Sequence, residues 1–122
     1  MWTYSQGTGD IADASGVVVG RGYSGHGAGL NNPDMQNVPD VGPIPQGRYT
    51  FGEVIAHDPV VGEYAIPLIP DPANEMHGRS AFFIHGNNLQ NNHSASEGCI
   101  VLAFTVRQEM YESADHAIEV TA

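Results

Sequence analysis

Two residues of this sequence have side chains that together could form a covalent catalyst, a histidine and the chain's single cysteine. His85 follows the apolar run 81–84, and Cys99, fourteen positions later, precedes a second apolar run, 100–102. The polar stretch between them predicts a strand, an excursion and a second strand. Two such strands side by side would bring the imidazole and the thiol within hydrogen-bond distance.

This pair is suited to nucleophilic catalysis. Only a thiolate attacks a carbonyl well, and an unperturbed thiol, with a pKa of about 8.5, is mostly protonated at neutral pH. A neighbouring His85 would accept the proton of Cys99 and stabilise the thiolate as an imidazolium. Gly98 permits a sharp turn before the cysteine, and the N–H groups of Gly98 and Cys99 are candidates for an oxyanion hole.

Other uses of these residues remain open. A metal site lacks the close ligand pairs of structural zinc motifs and a second cysteine, so we rank it below the nucleophilic pair and expect no metal and no other cofactor. Ser94 and Ser96 are more typical of turn residues than of nucleophiles. A lone cysteine is also common as a small buried hydrophobe. The ligands of the rival metal site would be His85, His93, Glu97 and Cys99.

Two further residues are candidate substrate contacts. The chain has only four Lys and Arg residues, so Arg79 is a candidate for binding a carboxylate bidentately, or for pairing with Asp71 or Glu75. His26 lies between two glycines in the long segment 24–46, where it could contact a ligand or be a solvated loop residue. The scattered apolar residues of this segment predict an ordered loop that forms a wall of the substrate cleft.

Composition restricts the class of protein. Residues 1–122 predict a single domain, and 15 Gly and 8 Pro indicate many turns and a mostly β structure. A formal charge of -10 argues against nucleic acid and anionic membranes as partners. No apolar run approaches the ~20 residues needed to span a bilayer, so we expect no membrane insertion. The opening residues do not resemble a signal peptide.

Alternating residues predict several short strands. We expect an edge strand at 2–6 that pairs with a buried valine-rich strand at 16–23. A strand at 47–56 follows, with Gly52 as a bulge. The strand at 64–69 contains a proline and is therefore also predicted at an edge.

One helix and a closing strand complete the predicted fold. Thr105 and Gln108 have the spacing of a capping box, which predicts a helix over about 105–113 that packs on the sheet. The alternation in 117–121 predicts a final strand. The sequence thus indicates a mainly β domain with one short helix.

The motifs also resemble a known family. His85-Gly86, followed by Ser96-Glu97-Gly98-Cys99, resembles the HG…[S/T]xGC signature of the L,D-transpeptidase catalytic domain. The wider pattern is similar to the small L,D-transpeptidase-like effectors of type VI secretion systems, and this resemblance covers nearly the whole chain. The stretches that carry it are YSGHGAGLNNPDMQNVPDVGPIPQGRY, HGRSAFFIHG and SASEGCIVL.

The resemblance implies an L,D-transpeptidase-like β-sandwich that acts on peptidoglycan stem peptides. In that family the cysteine attacks the carbonyl of the third residue of a tetrapeptide and releases the terminal D-Ala. Water then completes an L,D-carboxypeptidase reaction, or a free D-amino acid completes an exchange. Cys99 would be the nucleophile and His85 the base, and the carbonyl of Gly86 would hold the imidazole in the useful tautomer.

The chain departs from the wider transpeptidase pattern around the cysteine. Glu97 replaces the usual His or Lys before Gly-Cys, and the apolar run 100–102 replaces the usual Arg or Asn. The resemblance therefore implies trimming or exchange more than cross-linking, with Ser96 and Glu97 near the substrate and Arg79 as the substitute anion contact.

An effector of this kind implies partners and a place of action. We expect an immunity protein that covers the site near Cys99, a contact with a component of the secretion apparatus, and action in the periplasm of the target bacterium. Two alternatives are a cysteine endopeptidase of the NlpC/P60 kind, in which the cysteine precedes its histidine and only His116 is available, and a cell-wall binding module with a buried, non-catalytic cysteine.

Overall fold

The fold is mainly β with one short helix, as the sequence predicted. The computed structural model describes residues 1–59, 62–87, 96 and 98–122. The helix α1 is Phe104–Glu112, and 3-10 turns occur at Gly27–Gly29 and Pro33–Met35. The strands are β1 (Trp2–Ser5), β2 (Asp10–Ala12), β3 (Val18–Arg21), β4 (Tyr23–Ser24), β5 (Gly47–Phe51), β6 (Ile55–Asp58), β7 (Gly62–Pro70), β8 (Phe82–His85), β9 (Ile100–Val101) and β10 (Ala117–Thr121).

The described strands form one sheet that is rolled into a nearly closed barrel. Its order is β3-β2-β1-β10-β5-β7-β8-β9-β4, and β6 pairs with β7 beside this path. The two end strands, β3 and β4, are consecutive in the chain and are joined by Gly22. A side chain at Gly22 would collide with the carbonyl of Val101, so only glycine permits the backbones to approach this closely.

The core fills the inside of this rolled sheet. Alternate residues of β1 and β10 point inward, as their predicted alternation requires: Trp2, Tyr4, Ile118 and Val120 are all buried. The long segment 24–46 contributes Ile44, which is fully buried. Further core side chains are Ile11, Tyr49, Phe51, Ile66, Leu68, Phe82, Ile84, Ile100, Leu102 and Met110.

The predicted pairing at the start of the chain is wrong. β1 lies inside the sheet, parallel to β10 and antiparallel to β2, a three-residue strand that was not predicted. The valine-rich strand β3 forms the edge instead. Val17 and Val18 are 57% and 55% exposed, because a strand at the end of the order has a neighbour on one side only.

The strand with the proline is also not at an edge. β7 pairs with β5, β6 and β8. On one side, β7 changes its partner strand: its pairing with β6 ends at Ala65, and its pairing with β5 starts at Leu68. Pro67 is tolerated because its N and C=O point into the gap between these two pairings. In this gap the Pro67 carbonyl accepts from the N–H of Gly52 at 2.8 Å, and the predicted strand 47–56 breaks there into β5 and β6.

The predicted helix and final strand are confirmed, with one error at the helix start. α1 begins at Phe104, so Thr105 lies inside the first turn, and no side chain caps the helix at Ala103. The predicted capping box is therefore absent. β10 has the predicted bounds, 117–121. Within the described part of the chain, no helix has both the length and the apolar character needed to cross a membrane.

Candidate active site

The two reactive residues lie at the junction of parallel strands β8 and β9. His85 is the last residue of β8, and Cys99 immediately precedes β9. The register pairs Ile84 with Ile100 and His85 with Val101. Cys99 directly precedes this pairing, so the two reactive residues lie on neighbouring strands, one at the end of β8 and the other just before β9.

The structure orients the His85 ring through the neighbouring backbone. Its Nδ1 lies 2.8 Å from the carbonyl oxygen of Gly86, and because a carbonyl only accepts, Nδ1 carries the proton. Burial lowers the pKa of His85, the Gly86 carbonyl opposes this change, and the charge of Arg107 lowers the pKa further. The ring is therefore neutral at pH 7, with Nε2 as the basic nitrogen.

Cys99 is partly exposed and lies in a turn with unusual backbone angles. Its Sγ is 3.9 Å from the carbonyl oxygen of Ala81. Gly98 has φ +133, and a Cβ at this position would collide with the guanidinium of Arg79. Ala81 has φ 65, in the left-handed region that costs a non-glycine residue about 1–2 kcal/mol. The thiol is thus held where two irregular backbone segments meet.

Ser96 organises the cysteine turn, and its role as a substrate contact stays a prediction. The residue is fully buried. Its hydroxyl donates to the Cys99 carbonyl at 2.5 Å and accepts from the N–H groups of Gly25 at 2.9 Å and Gly98 at 3.1 Å. The Gly98 N–H is thus bound within the turn, and the oxyanion hole formed with the Cys99 N–H stays a prediction.

His26 joins the long segment 24–46 to the cysteine turn. Its Nδ1 lies 2.8 Å from the Ser96 carbonyl, so this nitrogen donates and the ring is held next to the turn. Ser24 extends the attachment, since its hydroxyl donates to the Gly98 carbonyl at 2.9 Å. The predicted loop is therefore ordered and borders the candidate site, and His26 remains a candidate substrate contact.

Arg79 is a clamp on that same loop, and its role as the carboxylate contact stays a prediction. The residue is only 8% exposed. Nη1 donates to the carbonyls of Gln36 at 2.6 Å and Pro43 at 2.7 Å, and Nη2 donates to Gly42 at 3.0 Å. Three of the five guanidinium donors are thus used by the loop. Burial lowers the pKa of Arg79, while the neighbouring Cys99 is among the groups that raise it.

Arg107 occupies the equivalent place on the histidine side, and sequence reasoning missed it. This buried α1 residue donates to the carbonyls of Tyr64 at 3.1 Å, Leu102 at 2.5 Å and Glu63 at 3.1 Å. Its Nη1 also packs against Gly86. The signal available in the sequence was an arginine on the helix that also carries the buried Met110, in a chain with four basic residues.

Several predicted residues lie outside the described part of the chain. These are Glu97, the predicted substrate contact, and His93 and Ser94 of the rival metal and serine sites. Among the described residues, no group of three His, Cys, Asp or Glu side chains could hold a metal ion. The endopeptidase alternative gains no support from His116, because its ring packs against Tyr111 and Phe51, and β7 and β8 separate β5 from β9.

A groove of about 760 Å³ adjoins the histidine side of the site. Sequence reasoning did not find it, because its walls come from distant segments. It is lined in part by Gly86, which follows His85, and by Val101, the register partner of His85. Other lining residues include Arg21, Tyr23, Leu30, Asn87, Phe104 and Arg107.

The comparison with known protein families agrees with this arrangement. The family model described as the Tlde1 domain matches residues 19–121, which is most of the chain and includes both reactive residues. No curated protein matches the sequence. The family consists of type VI secretion effectors of the L,D-transpeptidase kind, and membership indicates an enzymatic toxin that is secreted into target cells. On this match, the chain belongs to the Tlde1 domain family.

Proposed function

We propose that the protein is a cysteine L,D-carboxypeptidase and exchange enzyme that removes the terminal D-Ala from peptidoglycan tetrapeptide stems. The observation that supports this most directly is the orientation of His85. Its Nδ1–H donates to the Gly86 carbonyl, so Nε2 is the basic nitrogen of the neutral ring, and Cys99 directly precedes β9, the strand that pairs with the His85 strand β8. A base held in this tautomer and a partly exposed thiol on a neighbouring strand support cysteine acyl transfer.

The reaction follows from these two groups. His85 Nε2 takes the proton of the Cys99 thiol, and the thiolate attacks the carbonyl carbon of the third stem residue. The resulting tetrahedral intermediate collapses when protonated His85 gives its proton to the leaving amine, which frees D-Ala and leaves a thioester on Cys99. Water, deprotonated by His85, then releases the tripeptide and restores the thiol.

The exchange reaction uses the same thioester. The amine of a free D-amino acid attacks in place of water, His85 accepts the amine proton, and a tetrapeptide with a new terminal residue is released. Both reactions remove the D-Ala-terminated donor stems that cross-linking needs, which would account for toxicity in the periplasm of a target cell.

The test is to incubate the protein with disaccharide tetrapeptide and weigh the products. We expect loss of one D-Ala, incorporation of an added D-amino acid, and a transient protein adduct with the mass of the disaccharide-tripeptide acyl group. Cys99→Ala and His85→Ala should be inactive. His57→Ala, which changes an exposed histidine on β6, is the matched control and should retain activity.

Two results would contradict this reaction. One is unchanged tetrapeptide, or equal turnover by Cys99→Ala. The other is cleavage elsewhere in the stem or cross-bridge, which would indicate an endopeptidase. Slow reaction of Cys99 with a thiol reagent at neutral pH would instead favour the binding-module alternative, although the partial exposure of Cys99 argues against it.

An enzyme of this kind requires a neutralising protein in the producing cell. We propose that this immunity protein covers the surface near Cys99 and presents basic residues to a chain with a formal charge of -10. The complex should then weaken as salt concentration rises. A salt-insensitive dissociation constant would argue against a basic partner.

A further inference from the structure

The groove beside His85 contains two of the four basic residues of the sequence, Arg21 and Arg107. It lies next to the backbone of the candidate base, because Gly86 lines it and the N–H of Leu102, another lining residue, donates to the His85 carbonyl at 3.0 Å. A peptide whose scissile bond lies at the site would therefore have its neighbouring residues within reach of this groove.

The two arginines differ in what their guanidinium groups already bind. Arg107 is buried and donates three hydrogen bonds to backbone carbonyls. It therefore contributes positive potential to the groove, but its guanidinium is already bound to the backbone. The Arg21 side chain is 71% exposed, and its Nε donates to Asp10 Oδ1 at 2.6 Å. Among the described residues, neither Nη1 nor Nη2 of Arg21 has a hydrogen-bond partner.

This arrangement prepares Arg21 to bind an anion. Asp10 holds the guanidinium through Nε, and the remaining edge of the fork matches the two oxygens of a carboxylate. Leu30 and the half-exposed Phe104 also line the groove and offer apolar surface to the aliphatic part of a ligand. The groove therefore suits a peptide that combines aliphatic carbons with a free carboxylate.

We propose that this groove binds the carboxylate-bearing part of the stem peptide and that Arg21 is the contact for a carboxylate. The inference rests on the proposed function. The apolar run after Cys99 provides no cation for a substrate carboxylate, and the Arg79 guanidinium is bound to its own loop. Arg21 would supply this cation.

The test compares two exposed arginines. Arg48 on β5 is 65% exposed, lies 4.0 Å from Glu119 and does not line the groove, so Arg48→Gln makes the same change in charge elsewhere. Binding of disaccharide tetrapeptide is measured by calorimetry with Cys99→Ala as the parent protein. We expect Arg21→Gln to weaken binding by about tenfold or more and Arg48→Gln to change it less than about twofold.

Two further measurements define the contact. Arg21→Lys should give an intermediate loss, because a lysine keeps the charge but not the bidentate geometry. Each carboxylate of the tetrapeptide can be converted in turn to a carboxamide. The analogue that lacks the carboxylate bound by Arg21 should bind the parent protein more weakly than the tetrapeptide does. Arg21→Gln should not weaken the binding of this analogue any further. Melting temperatures close to that of the parent will show that the variants are folded.

The outcomes separate this inference from the proposed reaction. Equal binding by Arg21→Gln and Arg48→Gln overturns the groove contact, whereas D-Ala release by the protein with Cys99 intact still supports the reaction. Arg21-dependent binding without D-Ala release supports the groove and overturns the reaction. Absence of both binding and release overturns both.

Discussion

The cysteine side and the histidine side of the candidate site share one arrangement, but different parts of the fold hold them in place. On each side a glycine adjoins the reactive residue, and a buried guanidinium packs against that glycine: Arg79 against Gly98, and Arg107 against Gly86. Within the described part of the chain, each guanidinium also donates to three backbone carbonyls. Two of the four basic residues of the chain are used in this way.

The difference lies in what each arginine holds. The three carbonyls bound by Arg79 all belong to one loop, between Gln36 and Pro43. Arg107 instead joins α1 to β7 and to the end of β9. The base is therefore fixed by regular secondary structure, whereas the nucleophile lies in a turn whose position depends on a loop. The two sides of the site should therefore respond differently to the same change.

The largest expected difference is in stability. Arg107→Met should lower the free energy of unfolding by about 3 kcal/mol, because it removes the hydrogen-bond donor of the Glu63 and Tyr64 carbonyls in β7 and of the Leu102 carbonyl after β9. Arg79→Met should cost less, about 2 kcal/mol, because carbonyls of a released loop can bind water. Urea unfolding measures both, and the exposed Arg48→Met should stay within about 0.5 kcal/mol of the parent. Equal losses for the two buried arginines would remove the distinction.

The next difference is in turnover. Gly98→Ala should reduce D-Ala release by on the order of 100-fold, since a side chain at φ +133 is strained and would displace Arg79, and a shift of about 1 Å in a reacting group has this effect. Gly86→Ala should cost only a few-fold, because a Cβ there would lie 3.1 Å from Arg107 Nη1 and would require a shift of only a few tenths of an ångström, whereas a Cβ at Gly98 would collide with Arg79 outright. Similar losses for both would show that the turn is no more sensitive than the strand end.

The smallest expected effect is the pH dependence of the histidine side. Burial, with a further contribution from Arg107, lowers the pKa of His85 below its ordinary value of 6.5. As the pH falls, His85 therefore binds a proton in the unfolded chain before it does so in the folded protein. The contribution of His85 to stability is present above pH 6.5 and is lost as the pH falls through the lower pKa of the folded state.

NMR titration of His85 in the Cys99→Ala protein should show the lowered pKa directly. Urea unfolding over the same pH range should show a loss of stability that His85→Gln removes and that His57→Gln, at an exposed position, leaves in place. A His85 pKa above 6.5 would mean that the ring is not buried as neutral imidazole.

The strand ends at the candidate site were more predictable from sequence than their surroundings. The positions of His85 at the end of β8 and of Cys99 just before β9 were predicted because apolar runs are local signals, and β10 was predicted because its alternation is regular. The Arg79 clamp could not be predicted, since its acceptors are backbone carbonyls, which every residue has. Arg107 was missed for the same reason.

The sheet order was the least predictable part of the fold. β2 was missed because it has three residues and lies in a segment rich in turn-forming residues. The exposure of Val17 and Val18 depends on which strand ends the sheet, and residue type does not record that. Pro67 was read as an edge signal because the change of partner strand that tolerates it is not visible in the sequence of β7 alone.

The position of β10 has a consequence for how the molecule is made. This strand lies between β1 and β5 and joins the N-terminal strands β1 to β3 to the remainder of the sheet. During translation, β1 must therefore wait until more than a hundred later residues have left the ribosome before its parallel partner exists. A nascent chain that stops before Ala117 cannot complete the rolled sheet, so assembly of the enzyme is expected to follow synthesis rather than accompany it.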